Sequence, residues 1–146
     1  MTEGLKGFTI RVYGFLENES REVLMLAENI GGKPFNKFPG GGVELGEGIA
    51  DALIREFKEE LNLDVVLLGH IYTTDFFVRS AFYPEYQVIA VYYRVKCADL
   101  SQLRVLDTEI ETVSWLKKES ASQELISLET DRIAFNWFIG NAGLVD

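Results

Sequence analysis

A glycine-rich stretch that runs directly into an amphipathic, acidic helix constrains the fold of this chain more than any other feature. Five of the thirteen glycines lie within residues 40–48. From Gly48 to Leu61, apolar side chains recur at helical spacing in a single stripe, which predicts a helix packed on a core. The stripe consists of Ala50, Leu53, Ile54, Phe57 and Leu61. Asn62 follows the last apolar position and suits a left-handed helix end, where asparagine is second to glycine.

The same helix carries carboxylates on one flank. At about 100° per residue, Glu56, Glu59 and Glu60 fall together beside the apolar stripe. Arg55 lies within reach of Glu59 one turn later. Like charges one turn apart destabilise a helix by roughly 0.2–0.5 kcal/mol, and a divalent cation with oxygen ligands removes that repulsion. Such a cluster alone is typical of a solvated helix face, but the preceding glycines, whose backbone can approach a ligand closely, favour a cation and phosphate site.

Length, composition and charge exclude several classes of protein. The 146 residues are 47% hydrophobic and 12% aromatic, which predicts one compact domain over residues 1–146 and excludes a disordered chain. The longest clean apolar run, Val88–Tyr93, is far shorter than the roughly 20 residues of a membrane-spanning helix. A net charge of −9 without a basic stripe argues against polymeric nucleic acid as a partner. One cysteine, Cys97, and no signal-peptide pattern lead us to expect a cytoplasmic protein.

Periodicity and composition predict the remaining elements. We interpret the glycine-rich segment Asn29–Gly48 as a long ordered loop, and the aromatic-rich segment Tyr72–Tyr86 as a loop or strand ends. A final helix is expected over Thr130–Ile139. Strands are predicted over Phe8–Leu16, Arg21–Ala27, Leu63–His70, Gln87–Lys96 and Glu111–Leu116. Strands interspersed with helices give a single mixed α/β or α+β domain.

The run from Gly41 to Leu63 resembles the signature sequence of the Nudix hydrolase family. That signature begins with glycine, places a glutamate six residues later, and continues through Arg-Glu to Glu-Glu. The matching positions are Gly41, Glu47, Arg55, Glu56, Glu59 and Glu60. The one departure is Asn62, where the family has glycine, and asparagine tolerates the same left-handed conformation. Residues 38–40 (FPG) and 111–115 (ETVSW) also resemble the family.

The resemblance implies an α/β/α sandwich around a mixed β-sheet, with the signature forming a loop, a helix and a second loop. It also implies a bound magnesium ion, with manganese as the alternative. The metal ligands would be Glu56, Glu59, Glu60 and, through its backbone carbonyl, Gly40. Arg55 would orient the carboxylates, and Glu47 would support the site or bind a further cation.

Hydrolysis at phosphorus also needs a group that accepts a proton. Three glutamates are candidates for this general base. Glu59 lies within the signature, and Glu109 and Glu111 lie outside it. The sequence does not choose among the three, because members of the family differ on this point.

The aromatic-rich segment of residues 72–86 has two interpretations. It packs in the core or at a dimer contact, or it forms a base-stacking wall beside the metal site. In the second interpretation Phe76 and Tyr83 contact the substrate and Arg79 binds a phosphate. Lys37, in the glycine-rich segment, is a further candidate for a phosphate contact, with a solvated surface position as the alternative.

The activity implied by the resemblance is hydrolysis of a diphosphate linkage in a nucleotide or another nucleoside diphosphate-linked small molecule. The alternative is a non-catalytic ligand-binding or regulatory module on the same fold. The presence of every signature glutamate argues against that alternative, since a binding module could lose them freely. A small-molecule diphosphate is the expected partner, no membrane is expected, and a homodimer would be the commonest assembly. The substrate is not identified, because specificity in the family lies in loops outside the signature.

Overall fold

Seven strands and two α-helices make up the regular structure of residues 2–140, the part of the chain that this computed structural model describes. The strands are β1 (Gly7–Leu16), β2 (Val23–Ile30), β3 (Lys33–Lys37), β4 (Gly40–Gly42), β5 (Val65–Thr73), β6 (Tyr86–Cys97) and β7 (Ile110–Leu116). The helices are α1 (Ile49–Leu61) and α2 (Glu129–Gly140). The domain predicted from the sequence extends to residue 146, and residues 141–146 lie outside the described part. Within residues 2–140, no helix combines the length and apolar character needed to cross a membrane.

The strands form two sheets. The first has the order β4-β1-β6-β5, in which β1 and β6 are parallel and the other pairs are antiparallel. The second is antiparallel with the order β3-β2-β7. The pairing of β1 with β6 joins parts of the chain that are far apart in sequence, and it makes the first sheet mixed, as predicted.

Alternate residues of β1 face two different helices, because successive side chains of a strand point to opposite faces of the sheet. Val12 and Leu16 belong to the core cluster that contains Leu53, Phe57 and Leu61 of α1. Tyr13 and Phe15 belong to the other cluster, which contains Phe135 and Phe138 of α2. The first sheet is therefore covered by a helix on each face, which confirms the predicted sandwich.

The segment predicted as one long loop, residues 29–48, instead contains β3 and β4. Gly31 and Gly32 have φ angles of 59° and 82° and form a two-residue turn between β2 and β3. A two-residue hairpin turn matches the twist of its strands when both of its central residues have positive φ angles. Pro34 is tolerated because β3 is an edge strand. The prediction was wrong because it took the glycines as loop residues and not as a hairpin turn.

Asn62 ends α1 in the predicted left-handed conformation, with φ 59° and ψ 29°. Its side-chain amide also donates a hydrogen bond of 3.0 Å to the carbonyl oxygen of Gln102. The backbone N–H groups of Arg104 and Leu106 donate to the carbonyl oxygens of Leu61 and Glu60. The end of α1 thereby fixes the segment that leads into β7, and asparagine adds a contact that glycine could not make.

Substitutions at Asn62 test this account of the helix end. Asn62→Gly relieves the left-handed strain but loses one hydrogen bond, a contribution of about 0.5–1.5 kcal/mol, so we expect little net change in the free energy of unfolding. Asn62→Val loses the same bond and adds a left-handed cost of about 1–2 kcal/mol. Urea denaturation of both variants measures the difference, and equal stability of the two would contradict the account.

Asp131 is fully buried in the α2 cluster, where the Tyr92 hydroxyl donates a hydrogen bond to its Oδ1. Burial raises the pKa of Asp131 to about 6, although the hydrogen bond from Tyr92 opposes the shift. Burial, and then the Asp131 carboxylate, also raise the pKa of Tyr92. Because the ionised carboxylate is disfavoured in the folded state, Asp131 contributes most to stability when it is protonated.

This shift predicts a pH dependence of stability. The unfolded carboxyl has a pKa of about 3.9, so its contribution is complete below that pH and is lost as the pH rises towards the folded value of about 6. Asp131→Asn cannot titrate. Between pH 4 and pH 7, its free energy of unfolding should therefore rise relative to wild type, by up to about 3 kcal/mol. Denaturation curves at several pH values measure the difference, and parallel profiles for the two proteins would rule it out.

Candidate active site

The Arg55 guanidinium holds the loop before α1 against the helix. Its Nε and Nη2 donate to the two carboxylate oxygens of Glu47 at 3.0 and 2.7 Å, and Nη2 also donates to the carbonyl oxygen of Gly42 at 3.0 Å. Two parallel bonds between arginine and a carboxylate fix both distance and orientation. The hydrogen bond from Arg55 lowers the pKa of Glu47 to about 2. Glu47 is therefore ionised at neutral pH and bound to Arg55.

The remaining nitrogen of Arg55 binds the helix carboxylates. Nη1 donates to Glu56 Oε1 at 3.0 Å and to Glu59 Oε2 at 3.3 Å. The Glu59 side chain is 60% exposed, whereas that of Glu56 is largely covered. One guanidinium thus holds three of the signature glutamates in a fixed arrangement.

Glu60 lies deeper than the other glutamates of the helix, with 6% of its surface exposed. Its Oε1 accepts a hydrogen bond of 3.3 Å from the backbone N–H of Gly40 in β4. Burial raises the pKa of Glu60 to about 8; the Lys37 ammonium opposes this shift, and the Glu56 carboxylate adds to it. Burial also raises the pKa of Glu56, against the effect of Arg55. The carboxylates of Glu56 and Glu60 thus lie side by side in a place where, without a ligand, their ionised forms are poorly solvated.

Strand β4 approaches these carboxylates so closely that only glycine fits. A Cβ atom on Gly41 would lie 2.5 Å from the Glu56 carboxylate. Backbone groups of the strand therefore border the carboxylates without an intervening side chain. This is the close approach that the glycine-rich sequence predicted, made here by a short strand and not by a loop.

A cavity of about 240 Å³ opens over this arrangement. Five acidic and two basic residues line it, which leaves three negative charges in excess when all are ionised. The charged residues are Glu28, Glu56, Glu60, Asp107, Glu109, Arg11 and Lys37. Residues 40–42, Ile30, Phe82 and Tyr83 complete the wall. We call this the acidic cavity.

A second cavity, of about 300 Å³, adjoins the first. Its walls come from β1, β6, residues 76–82 and the start of α2, and they are predominantly apolar. Phe76, Phe77 and Phe82 contribute three aromatic rings. Arg11 and Phe82 line both cavities. We call this second space the aromatic pocket.

The structure distributes the sequence-predicted site residues over the two spaces. Glu56, Glu60 and the backbone of Gly40 line the acidic cavity, but the Glu59 carboxylate is bound to Arg55 and is not part of the lining. Of the two candidate bases outside the signature, Glu109 lines the acidic cavity, whereas Glu111 is exposed on β7 and does not.

The predicted substrate-contacting residues also divide between the two spaces. Tyr83 and Lys37 line the acidic cavity, and Phe76 and Arg79 line the aromatic pocket. The Arg79 guanidinium donates to the carbonyl oxygens of Pro84 and Glu3. Arg79 therefore stabilises the segment of residues 76–82, which forms part of the pocket wall.

Sequence reasoning missed Arg11, Glu28, Phe82 and Asp107 in the cavity walls. For Arg11 and Glu28 the sequence does contain a signal, because each is a charged residue in, or at the end of, an otherwise apolar strand. Glu28 pairs with Lys37 at 3.1 Å, and both side chains are at most 5% exposed. Charged side chains are seldom buried in this way unless paired, and the partner strand that supplies Lys37 was not predicted.

The donor set of the acidic cavity fits a divalent cation. Glu56 and Glu60 offer carboxylate oxygens and β4 offers backbone groups, and magnesium prefers such hard oxygen ligands. The excess negative charge of the lining favours a cation further. Among the described side chains, no three carboxylates, histidines or cysteines already converge in a metal-binding arrangement. The orientation of Glu59 towards Arg55 is consistent with that finding.

Replacement of Lys37 tests the buried ion pair. Lys37→Met leaves Glu28 buried without its cation and should lower the free energy of unfolding by about 3–5 kcal/mol. Adding Glu28→Met should restore most of the loss, since a buried pair can be exchanged for apolar residues at little cost. Lys33→Met, an exposed lysine on the same strand, is the control. Urea denaturation measures all four proteins, and equal stability of the Lys37 and Lys33 variants would contradict the pairing.

A family model and a known protein are similar in sequence to this chain. A family model described as NUDIX domain matches residues 7–138. Nucleoside triphosphatase NudI from Escherichia fergusonii is 31% identical over 96 residues, which are 62% of this chain and 67% of that protein.

Solved structures give the same fold. A MutT protein from Methanosarcina mazei Go1 has a TM-score of 0.75 at 22% identity, with 95% of this chain and 97% of that chain covered. A NUDIX hydrolase from Nitrosomonas europaea has a TM-score of 0.75 at 19% identity, with 93% and 90% covered. Because the family model spans every residue of the acidic cavity and the loop–helix signature beside it, this chain belongs to the Nudix hydrolase family.

Proposed function

We propose that this protein is a magnesium-dependent hydrolase that cleaves a diphosphate linkage in a nucleotide or another nucleoside diphosphate-linked small molecule. The observation that carries the proposal is the buried carboxylate of Glu60 next to the largely covered carboxylate of Glu56, beside glycine backbone in a cavity lined by more acidic than basic residues. A chain that only presented a solvated acidic face would have no reason to bury these groups against β4.

In this proposal Glu56, Glu59, Glu60 and the backbone carbonyl of Gly40 hold the metal. When bound, magnesium neutralises charge on the phosphates and lowers the pKa of a coordinated water molecule. Manganese is the alternative ion. Glu59 would have to turn from Arg55 towards the cavity, and its exposed position leaves it free to do so.

The chain's own residues supply positioning and proton transfer. Arg55 keeps the carboxylates in fixed positions, and Glu47 holds Arg55 through two bonds. Glu109, in the lining of the acidic cavity, is the base candidate outside the signature that the geometry favours. Glu59 is the second candidate, because it lies in the signature next to a proposed ligand. A base must come within hydrogen-bond reach of the water from which it takes a proton.

The aromatic pocket supports a substrate with a planar organic group. Phe76 and its neighbours offer ring faces, and stacking of a base on an aromatic side chain contributes about 1–3 kcal/mol. The similar NudI protein is named a nucleoside triphosphatase, so nucleoside triphosphates are the first substrates to test.

We also propose a cytoplasmic location and a homodimer for this protein.

A substrate panel tests the proposed activity. Nucleoside triphosphates, nucleotide sugars and dinucleotides should be incubated with the protein in magnesium and in excess chelator, and phosphate-containing products measured. We expect cleavage of at least one compound in magnesium and none in chelator. Turnover that persists in chelator, or none across the panel, would favour the non-catalytic module on the same fold.

Thermal stability of two isosteric variants tests the metal ligands separately from activity. Without metal, Glu60→Gln removes a carboxyl group whose ionised form burial disfavours, so the melting temperature should hold or rise. Glu59→Gln removes an exposed ion pair with Arg55, which contributes little to stability, so the melting temperature should hold. Wild type gains RT ln(1 + [L]/Kd) on binding, or about 2.7 kcal/mol at one hundred times Kd, and a variant that binds weakly gains less. In saturating magnesium both variants should therefore melt at a lower temperature than wild type.

Glu124→Gln is the matched control, because Glu124 is exposed and lies outside both cavities. This variant should gain as much from magnesium as wild type does. If the Glu59→Gln and Glu60→Gln variants gain as much as the control does, their carboxylates are not ligands of the ion.

A further inference from the structure

Arg11 stands where the acidic cavity meets the aromatic pocket. It lies on β1, opposite Gly42 of β4 and Ala90 of β6, and it lines both spaces together with Phe82. A molecule that extended from one cavity into the other would pass this side chain.

The Arg11 guanidinium is fixed in position. Its Nε donates a hydrogen bond of 2.6 Å to the hydroxyl of Tyr13. Its central carbon lies 5.7 Å from the centre of the Tyr13 ring and 5.9 Å from that of Phe82. These contacts orient a half-buried cation before any ligand arrives, so little conformational entropy is lost when it binds one.

The two terminal nitrogens of Arg11 have no partner within residues 2–140. They donate no hydrogen bond there, and the Glu56 carboxylate, which attracts the guanidinium across the cavity, lies beyond ion-pair distance. The other cations beside the acidic cavity are engaged, since Lys37 pairs with Glu28 and Arg55 binds its glutamates. Of the two described arginines that line the cavities, Arg79 donates through its terminal nitrogens to backbone carbonyls, so Arg11 is the one that can offer a free guanidinium fork to an anionic ligand.

The chemistry of this position selects a phosphate attached to an organic group. A guanidinium presents donors in a fork that matches two phosphate oxygens. On one side the aromatic pocket suits a planar ring system, and on the other the acidic cavity holds the proposed metal ligands. A phosphate between the two is the one that carries the organic group.

We propose that Arg11 is a substrate-binding residue that holds the phosphate nearest the organic group, so that the protein binds a nucleoside 5′-monophosphate unit across the junction of its two cavities. The assignment rests on the proposed function for the identity of the acidic cavity. It goes further, because it gives the substrate an orientation: the aromatic group lies in the pocket, the first phosphate on Arg11, and the remaining phosphate towards Glu56 and Glu60.

Calorimetric titration with the four ribonucleosides and their 5′-monophosphates, in magnesium and in chelator, tests the proposal. Wild type should bind at least one monophosphate tenfold or more tightly than the matching nucleoside, the size expected for charge-assisted hydrogen bonds. Arg11→Met should lose that preference and leave nucleoside binding unchanged. Arg11→Lys should keep part of it, since lysine keeps the charge but not the fork. Lys96→Met, an exposed cation on β6 outside both cavities, should behave as wild type does.

Each possible result bears on a different part of the proposal. An Arg11→Met protein that keeps the preference for the monophosphate overturns the role of Arg11. A wild-type protein that binds neither nucleosides nor monophosphates overturns the orientation. If Arg11→Met also loses nucleoside binding, the Arg11→Lys variant decides between the two explanations. An Arg11→Lys protein that binds nucleosides and keeps part of the preference for the monophosphate supports the proposal. An Arg11→Lys protein that does neither overturns it. Absence of hydrolysis in the substrate panel would count against the proposed function alone, because these binding measurements do not depend on turnover.

Discussion

The shared guanidinium of Arg55 is the interaction on which the candidate site depends. It bonds both oxygens of Glu47, the backbone of Gly42, and the carboxylates of Glu56 and Glu59. Exposed ion pairs usually contribute little to stability, but here one cation connects a strand, a loop and successive turns of a helix. A lysine would keep the charge and lose the fork that makes these bonds at once. The position of Glu56 in the cavity wall, and of the loop that carries Glu47, follows from that geometry.

The two helix acids that line the cavity, Glu56 and Glu60, are unfavourable for the unbound chain when they are ionised. Burial raises the pKa values of Glu56 and Glu60, so their ionised forms lack the solvation that water would give them. Real proteins break local rules of stability mainly at functional sites. The Lys37–Glu28 pair shows the contrast, because there the same interior balances each charge with a partner. Glu60 also lines the acidic cavity, where a ligand can reach it, but within residues 2–140 only the backbone N–H of Gly40 donates a hydrogen bond to it.

The sequence predicted what depends on local periodicity. The stripe of α1, its left-handed end at Asn62 and the glutamates on its flank are all set within one helix and its neighbours. It did not predict β3 and β4, because a glycine pair is compatible with a loop as well as with a hairpin turn. Arg11 and Glu28 were missed for a different reason. Their importance arises from strand pairing between distant segments, and no local pattern specifies which side chains such pairing brings together.

Strand pairing also explains how recognition and chemistry can be joined in one small domain. Arg11 lies opposite Gly42 in the β1–β4 ladder, and Tyr13 lies opposite Gly40. The backbone that borders the proposed metal ligands and the side chains that begin the aromatic pocket therefore belong to one pair of hydrogen-bonded strands. Most of the pocket's aromatic wall comes instead from the segment between β5 and β6, which is not part of that ladder. In the proposed function, substitutions in this segment should therefore change the preference for the organic group and leave the β1–β4 ladder, with Arg11 opposite Gly42, unchanged.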